Sequence, residues 1–331
     1  MKEMLVKDPD TIQDKWGKRP SDRSVGELLK AGVIVLDKPS GPTSHQATAW
    51  ARDAIHAERI GHGGTLDPYV SGVLPISTGK AVRLTDIVLS SDKEYICTMK
   101  LHKDRPESKI RAVMSRFTGK IYQMPPVRSS VKRQLRIRTI KEMEILEIDG
   151  RSILFRISCD AGTYVRTLCV DIGEALGCGA NMVQLRRTRS GKMHESEAVT
   201  LHDLRDAYVF WQEKGREEWL RSMIRPVEVL VEPLPKFIVK PTAVDAICHG
   251  ADLMIAGVYK LDDEMRKNAL VAIMTPRGEL VAIGKAAMSS AKIMATEKGM
   301  AVKVERVLME PGHYPKMWKF STDLEDDPDS I

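Results

Sequence analysis

The chain has 331 residues, of which 43% are hydrophobic and 29% charged, with a formal net charge of +6. That length suits one large domain plus a smaller one, with a substantial core and a solvated surface. No apolar run approaches membrane-spanning length, and the first twenty residues lack the apolar core of a signal peptide. The five cysteines contain no C-x-x-C pair and the eight histidines no ligand cluster, so the expectation is an intracellular protein with reduced, buried thiols and no metal.

Residues 1–30 are polar, carry two prolines and show no sustained period. They read as an extension, either disordered or laid on another part of the molecule. Gly32 to Leu36 is a short buried-strand pattern, broken by DKPSGP (37–42), after which Thr43 or Ser44 caps a helix running to His56. The stretch RIGHGGTLDPYVSGVLP (59–75) then sets one carboxylate, Asp67, in a frame of glycines and prolines. Glycine admits backbone shapes closed to other residues, and Pro68 restricts Asp67 itself. Asp-Pro is also an ordinary surface turn, so the motif alone allows either a plain turn or a catalytic carboxylate on a stiff loop.

EYICTMKL (94–101) reads as a strand, and Ile110, Val113, Met114 and Phe117 follow helical spacing. From Gly119 to Ile140 there are six basic residues and no acid, and RRTRSGK (186–192) adds four more. One charge run is usually a solvated face, but two acid-free stretches with Pro-Pro and Ser-Gly breaks favour a polyanion. The region around 128–138 predicts a mobile clamp over RNA, outside the core. In RSILFRISCD (151–160), Ile153, Phe155, Ile157 and Cys159 point one way and Arg156, Ser158 and Asp160 the other, a strand entered through the hairpin signal Asp149-Gly150. TYVRTLCVDIGEAL (163–176) reads as a helix that buries Val165, Leu168, Cys169, Ile172 and Leu176 and stops at Gly177 and Gly179. Arg166 sits in its first turn, off the apolar stripe, where a cation opposes the helix dipole and asks for a partner. Three prolines between Ile224 and Lys236 mark a seam. Beyond it, short strands (FIVK, DLMIAGVYKL, NALVAIMTP, ELVAIGKA, AVKVERVLM) and one helix, PTAVDAICHG, describe a small β module, barrel or sandwich.

Together, LDKPSGPTS (36–44), GHGGTLDP (61–68), KEY (93–95), GTYVRTLCVDIG (162–173) and LRRTRSG (185–191) resemble the tRNA pseudouridine synthase B family. PPVRSSVKRQLRIR (125–138) resembles its archaeal and eukaryotic, dyskerin-type branch, and the C-terminal module is similar to a PUA RNA-binding domain. Gly63, where relatives often carry Thr or Ser, and Tyr69, where the guided branch often carries Lys, depart from the pattern. The resemblance implies an α+β fold. It places a mixed, largely antiparallel catalytic domain at 31–230, a β-barrel PUA domain at 235–316 and an acidic tail at 317–331, with the 1–30 extension laid on the PUA domain.

The resemblance further implies conversion of uridine to pseudouridine in rRNA and tRNA, including tRNA uridine 55, without a cofactor. A box H/ACA guide RNA and small ribonucleoprotein partner proteins at the catalytic domain come with that branch. Asp67 is then the nucleophile, Arg166 its charge partner, Tyr95 the stacking residue and Leu185 the apolar wall of the pocket. His62, Lys38 and the Arg186, Arg187, Arg189 cluster hold RNA, as do Arg128, Lys132, Arg133 and Arg136 on the clamp. For Tyr95 the alternative is a strand tyrosine packed in the core, and for His62 a structural loop histidine.

The chemistry agrees with this assignment. The reaction breaks a C–N glycosidic bond, turns the uracil and rejoins it through carbon, so it needs an ionised carboxylate beside the sugar and an opposite charge, and no redox step. A base inside folded RNA must flip out at a cost of a few kcal/mol, of which stacking on an aromatic ring returns roughly 1–3 kcal/mol. Whether Asp67 attacks the sugar carbon or removes a sugar proton stays open at this level. A glycoside hydrolase would need a second acid; GHGGTLDP and GTYVRT hold none besides Asp67, and the nearest later one, Asp171, sits five residues past Arg166. The remaining rivals are a guide-independent tRNA enzyme and a non-catalytic RNA scaffold.

Overall fold

A computed structural model describes residues 4–9, 15–125 and 134–316. The chain divides into two compact units, residues 24–225 and residues 1–23 joined with 226–331. Elements are numbered along the chain. Strand β1 (Met4–Val6) belongs to the second unit.

The larger unit is built on a mixed sheet. Its strands are β2 (Gly32–Lys38), β3 (Ile60–His62), β4 (Ser71–Thr78), β5 (Lys93–Leu101), β6 (Gly119–Gln123), β7 (Arg136–Asp149), β8 (Ser152–Cys159), β9 (Ala180–Ser190), β10 (Met193–His194) and β11 (Ile224–Pro226). They run in the order β11-β2-β4-β9-β5-β8-β7-β6, with β3 beside β4 and β10 beside β9. The β4–β9 pair is parallel, whereas β2–β4, β5–β9, β5–β8, β7–β8 and β6–β7 are antiparallel. The alternation expected for β8 appears in the core, where Ile153, Phe155, Ile157 and Cys159 are all buried.

Helices α1 (Val25–Lys30), α2 (Ser44–Ala54), α6 (Leu201–Lys214) and α7 (Glu218–Met223) share one hydrophobic cluster with β2 and β4. The short helix α3 (Thr85–Leu89) precedes β5, and helices α4 (Glu107–Met114) and α5 (Val165–Ala175) share another cluster with β5 and β8. Helix α5 buries Val165, Leu168, Cys169 and Ile172, the stripe its 3.6-residue period dictates.

Two boundaries differ from the sequence expectation. The N-terminal extension ends at Arg23, because residues 25–30 form α1 with Val25 and Leu28 buried. A six-residue helix shows no period, but its capping box, Ser24 with Glu27, was a legible signal. The basic region is also not wholly a loop. Arg136, Ile137 and Arg138 lie in β7, opposite Gln123, Tyr122 and Ile121 of β6. Arg128, Lys132 and Arg133 fall outside the described residues.

The second unit carries a seven-stranded sheet in the order β1-β14-β12-β15-β16-β17-β13. Its further strands are β12 (Lys236–Val239), β13 (Leu253–Met254), β14 (Val258–Asp262), β15 (Leu270–Met274), β16 (Leu280–Ala286) and β17 (Met300–Val307), with helices α8 (Pro241–Cys248) and α9 (Ser290–Ala295). The N-terminal strand is its edge, with Met4 to Val6 antiparallel to Lys260 to Asp262. Residues 16–18 extend that attachment. Trp16 packs on the core of this unit and the Lys18 amide donates to Glu279 Oε1 at 3.0 Å. A Cβ on Gly17 would stand 2.1 Å from the Tyr314 hydroxyl, so only glycine fits there.

Candidate active site

Asp67 lies on the 63–70 connection between β3 and β4, and the side chains and backbone of residues 38–44 fasten that connection in place. The Ser44 hydroxyl, in the first turn of α2, accepts from the Leu66 amide at 2.8 Å and donates to the Leu66 carbonyl at 3.0 Å. The Gly41 amide donates to the Pro68 carbonyl at 2.9 Å, and the Ser40 hydroxyl to the Tyr69 carbonyl at 3.2 Å. The Lys38 ammonium donates to the carbonyls of Pro39, Pro68 and Val70 at 2.8–2.9 Å. These bonds satisfy the groups of a tight turn that leaves the Asp67 carboxylate facing outward. At Gly72, φ is +101° and a Cβ would stand 2.2 Å from the Arg187 carbonyl, so β4 and β9 can meet there only through glycine. At Gly63, a Cβ would stand 2.6 Å from Val88 Cγ1, which accounts for glycine in this chain.

The carboxylate has a partner. Arg166 Nη2 donates to Asp67 Oδ2 at 2.5 Å, across 99 residues of sequence, and both side chains are 54% exposed. The unfavourable placement of a cation in the first turn of α5 is thereby offset by an ion pair, and the pair opens to solvent where a ligand can reach it.

Behind the loop lies a group of buried cations. Arg187 is 1% exposed. Its Nε donates to the Val73 carbonyl at 2.7 Å and its Nη2 to the Gly64 carbonyl at 3.0 Å. It stands opposite Tyr95 in the β5–β9 register. Tyr95 is 8% exposed and belongs to the core cluster. Burial pushes its hydroxyl up, and the Arg187 charge partly opposes this. Lys93 donates to the Val88 carbonyl at 2.9 Å and to the Ser91 carbonyl and hydroxyl at 2.5 and 3.0 Å. Burial first, then Arg187, lower it from 10.5 to about 7. His62 on β3 packs edge-on against His45, 5.0 Å between centroids. Burial, then His45 and Arg187, lower its pKa. Leu185, on β9, packs partly buried against the same cluster as Tyr95.

Several of the side chains expected to hold RNA make bonds within the chain. Lys38 is 0% exposed and spends its three protons on loop carbonyls. Burial lowers its pKa, opposed by Asp67. Arg187 faces inward for the same reason, since its partners are backbone oxygens of the loop and sheet. Arg186 is paired with Asp37 at 3.0 Å and Glu195 at 2.8 Å, and Arg189 donates to Gly191 O at 3.1 Å and Ser158 Oγ at 3.2 Å. Arg186, Arg187 and Arg189 are thus each bonded within residues 24–225. Arg136 is half-buried opposite Gln123 in the β6–β7 ladder. Among the described residues, no group of three metal-ligating side chains occurs.

A stapled carboxylate with an arginine partner, on a mixed sheet and followed along the chain by a small β module, agrees with the pseudouridine synthase class that the sequence resembles. Residues 52–109 and 103–165 match the N-terminal domain of the TruB family of pseudouridylate synthases, and 166–232 match the tRNA pseudouridylate synthase B C-terminal domain. Residues 235–308 match the PUA domain and 1–48 the DKCLD domain. The chain is 51% identical to a probable tRNA pseudouridine synthase B of Methanothermobacter thermautotrophicus over 93% of its length and 95% of the relative's. It is 52% identical to that of Pyrococcus abyssi, over 96% of each chain. Its fold superposes on a chain from a Cbf5-Nop10-Gar1 complex with a TM-score of 0.90, at 50% identity, covering 96% of this chain and 97% of that one. It superposes equally, at 48% identity, on a chain from an H/ACA RNP bound to a substrate RNA containing 2'-deoxyuridine, covering 96% and 98%. The chain belongs to the TruB family of pseudouridylate synthases, and its chemistry is isomerisation of uridine to pseudouridine.

Proposed function

We propose that Asp67 is the nucleophile of this synthase and Arg166 the residue that orients it, and that the enzyme modifies rRNA and tRNA uridines chosen by a box H/ACA guide RNA, in the cytoplasm. The observation that carries the assignment is the 2.5 Å Arg166–Asp67 contact on a loop whose backbone is fastened on both sides of the carboxylate. The flipped uridine brings its sugar to Asp67. The C1′–N1 bond breaks, the uracil turns, C5 joins C1′, and the C5 proton is lost while N1 regains one. A rigid loop matters because a misplacement of about 1 Å can cost roughly a hundredfold in rate.

Tyr95 and Leu185 form the base-side wall. Tyr95 is 8% exposed in the core cluster, and burial pushes its phenol up from the ordinary value, which suits an aromatic surface for the base. Guidance is supported by the relatives found in complexes with Nop10, Gar1 and H/ACA RNA, and the same kinds of small partner protein would engage this catalytic unit. A guide-independent reaction at uridine 55 of tRNA is the second reading, favoured by the naming of the closely similar relatives.

The test uses RNA labelled with tritium at uridine C5. The full chain is incubated with a tRNA transcript, then with guide RNA, partner proteins and a matching target strand. Tritium release without free uracil is expected, and release from the target strand should require the guide. Free uracil would mean hydrolysis and overturn the isomerase mechanism, while an Asp67→Asn chain active within tenfold of wild type would remove Asp67 from its role.

A further inference from the structure

Helix α5 carries Arg166 two residues after its N-cap, Tyr164, whose own side chain makes no capping bond. The cap is supplied from another element. Gln123, the last residue of β6, is 2% exposed and grips the Tyr164 peptide on both sides. Its Oε1 accepts from the Tyr164 amide at 3.0 Å and its Nε2 donates to the Tyr164 carbonyl at 3.1 Å. In a capping box the third helical residue accepts from the N-cap amide. Here that residue is Thr167, which cannot repeat the reach of Glu or Gln, and Gln123 takes its place from 41 residues upstream.

The turn leading into the helix is held from the other strand of the same hairpin. The Asp160 carboxylate accepts from the Thr139 amide at 2.9 Å, the Asp160 amide donates to the Thr139 carbonyl at 3.0 Å, and Thr163 Oγ1 donates to the Asp160 carbonyl at 2.8 Å. Both strands of the β6–β7 hairpin thus fix the start of α5, and the guanidinium that meets Asp67 projects from its first turn.

We infer that Gln123 is a positioning residue of the reaction: by holding the Tyr164 peptide it sets the first turn of α5 and so the placement of the Arg166 guanidinium on Asp67. It is buried, with only 2% of its surface exposed. Its loss therefore lowers turnover and leaves substrate affinity unchanged, and the loss operates through Arg166. This rests on the assignment of Asp67 and Arg166 made above.

The experiment measures single-turnover tritium release, with enzyme in excess, by the full chain on whichever labelled RNA the wild type converts. Gln123→Met keeps the length and removes both bonds. It should lower the rate constant about ten- to a hundredfold with an unchanged half-saturating enzyme concentration, and have no effect when introduced into Arg166→Ala. Gln123→Glu keeps the acceptor for the amide and loses the donor to the carbonyl. It should fall between wild type and Gln123→Met, and it carries the same comparison if the methionine variant does not fold. A rate equal to wild type, or a full additional loss in the Arg166→Ala background, would overturn the inference. A wild-type chain that releases no tritium from any of these RNAs would instead remove the function proposed above.

Discussion

At the residue scale, the charge that matters is one that a sequence shows plainly and one that it hides. Asp67 and Arg166 were legible because a motif frames each and the chemistry asks for the pair. Lys38, Lys93 and Arg187 were not, since a basic residue usually marks a solvated face, and the partners that turn these three inward are backbone carbonyls without a sequence signature. Asp67→Asn keeps the shape and removes the charge, so pseudouridine formation should fall by several orders of magnitude while RNA binding, read by filter retention, stays near wild type. Lys38→Met should act differently. It strands loop carbonyls at Pro68 and Val70, so it should cost about 3 kcal/mol of stability and lower turnover through a loosened Asp67 loop. A melting temperature unchanged from wild type would show that the three bonds hold nothing.

Lys93 gives a pH signature at the same scale. Its ordinary value of 10.5 is lowered to about 7 in the folded chain. Below about 7 both folded and unfolded chains carry the proton, and the burial cost stands in full. Between about 7 and 10.5 the folded chain has lost the proton and the unfolded chain keeps it, so stability rises with pH across that window. The melting temperature of wild type minus that of Lys93→Met should therefore increase from neutral to alkaline pH. A flat difference would mean that the lysine keeps its proton in the folded chain.

At the element scale, periodicity located what was long and one-sided. Strand β8 and helix α5 announced themselves because each alternates its apolar residues over at least two full repeats. Among the elements that escaped, β1, α1 and α9 are three to six residues long, too short for a period to register, whereas β4, β9 and the fourteen-residue α6 are long enough and still escaped. The basic region misled for another reason. Its composition is that of a loop, yet Arg136 to Ile140 pair with β6, because Ile140 is buried in the core and fixes the register of the strand. Amide exchange should consequently be slow along 136–140 in the free chain. Exchange there as fast as in an unstructured peptide would restore the mobile clamp for the whole of 128–138.

At the scale of the molecule, each unit owns its core. Clusters around β5, β8 and α5 and around β2, β4 and α2 serve residues 24–225, while Phe237, Leu261, Val271, Ile273 and Val302 anchor the other unit. The proline-rich seam was readable from 224–236. That the first twenty-odd residues fold with the C-terminal unit was implied only by the family resemblance and not by any period, because a three-residue edge strand is chosen by the sheet it joins. This changes the truncation that should work. A chain cut after Glu232 but retaining its N-terminus would leave Leu5 and Trp16 without the core they pack on, an aggregation hazard. A chain running from Ser24 to Glu232 keeps both clusters of the larger unit and every residue of the Asp67 site, so it should melt in one cooperative transition. It should lose most affinity for guide RNA. The dependence of binding on salt should become shallower by about 0.7–0.9 in slope for each phosphate that the PUA unit would have neutralised. Titration of a labelled guide RNA at several ionic strengths reads both quantities. Equal affinity and equal slope for the whole and shortened chains would show that the PUA unit of this synthase does not bind the guide.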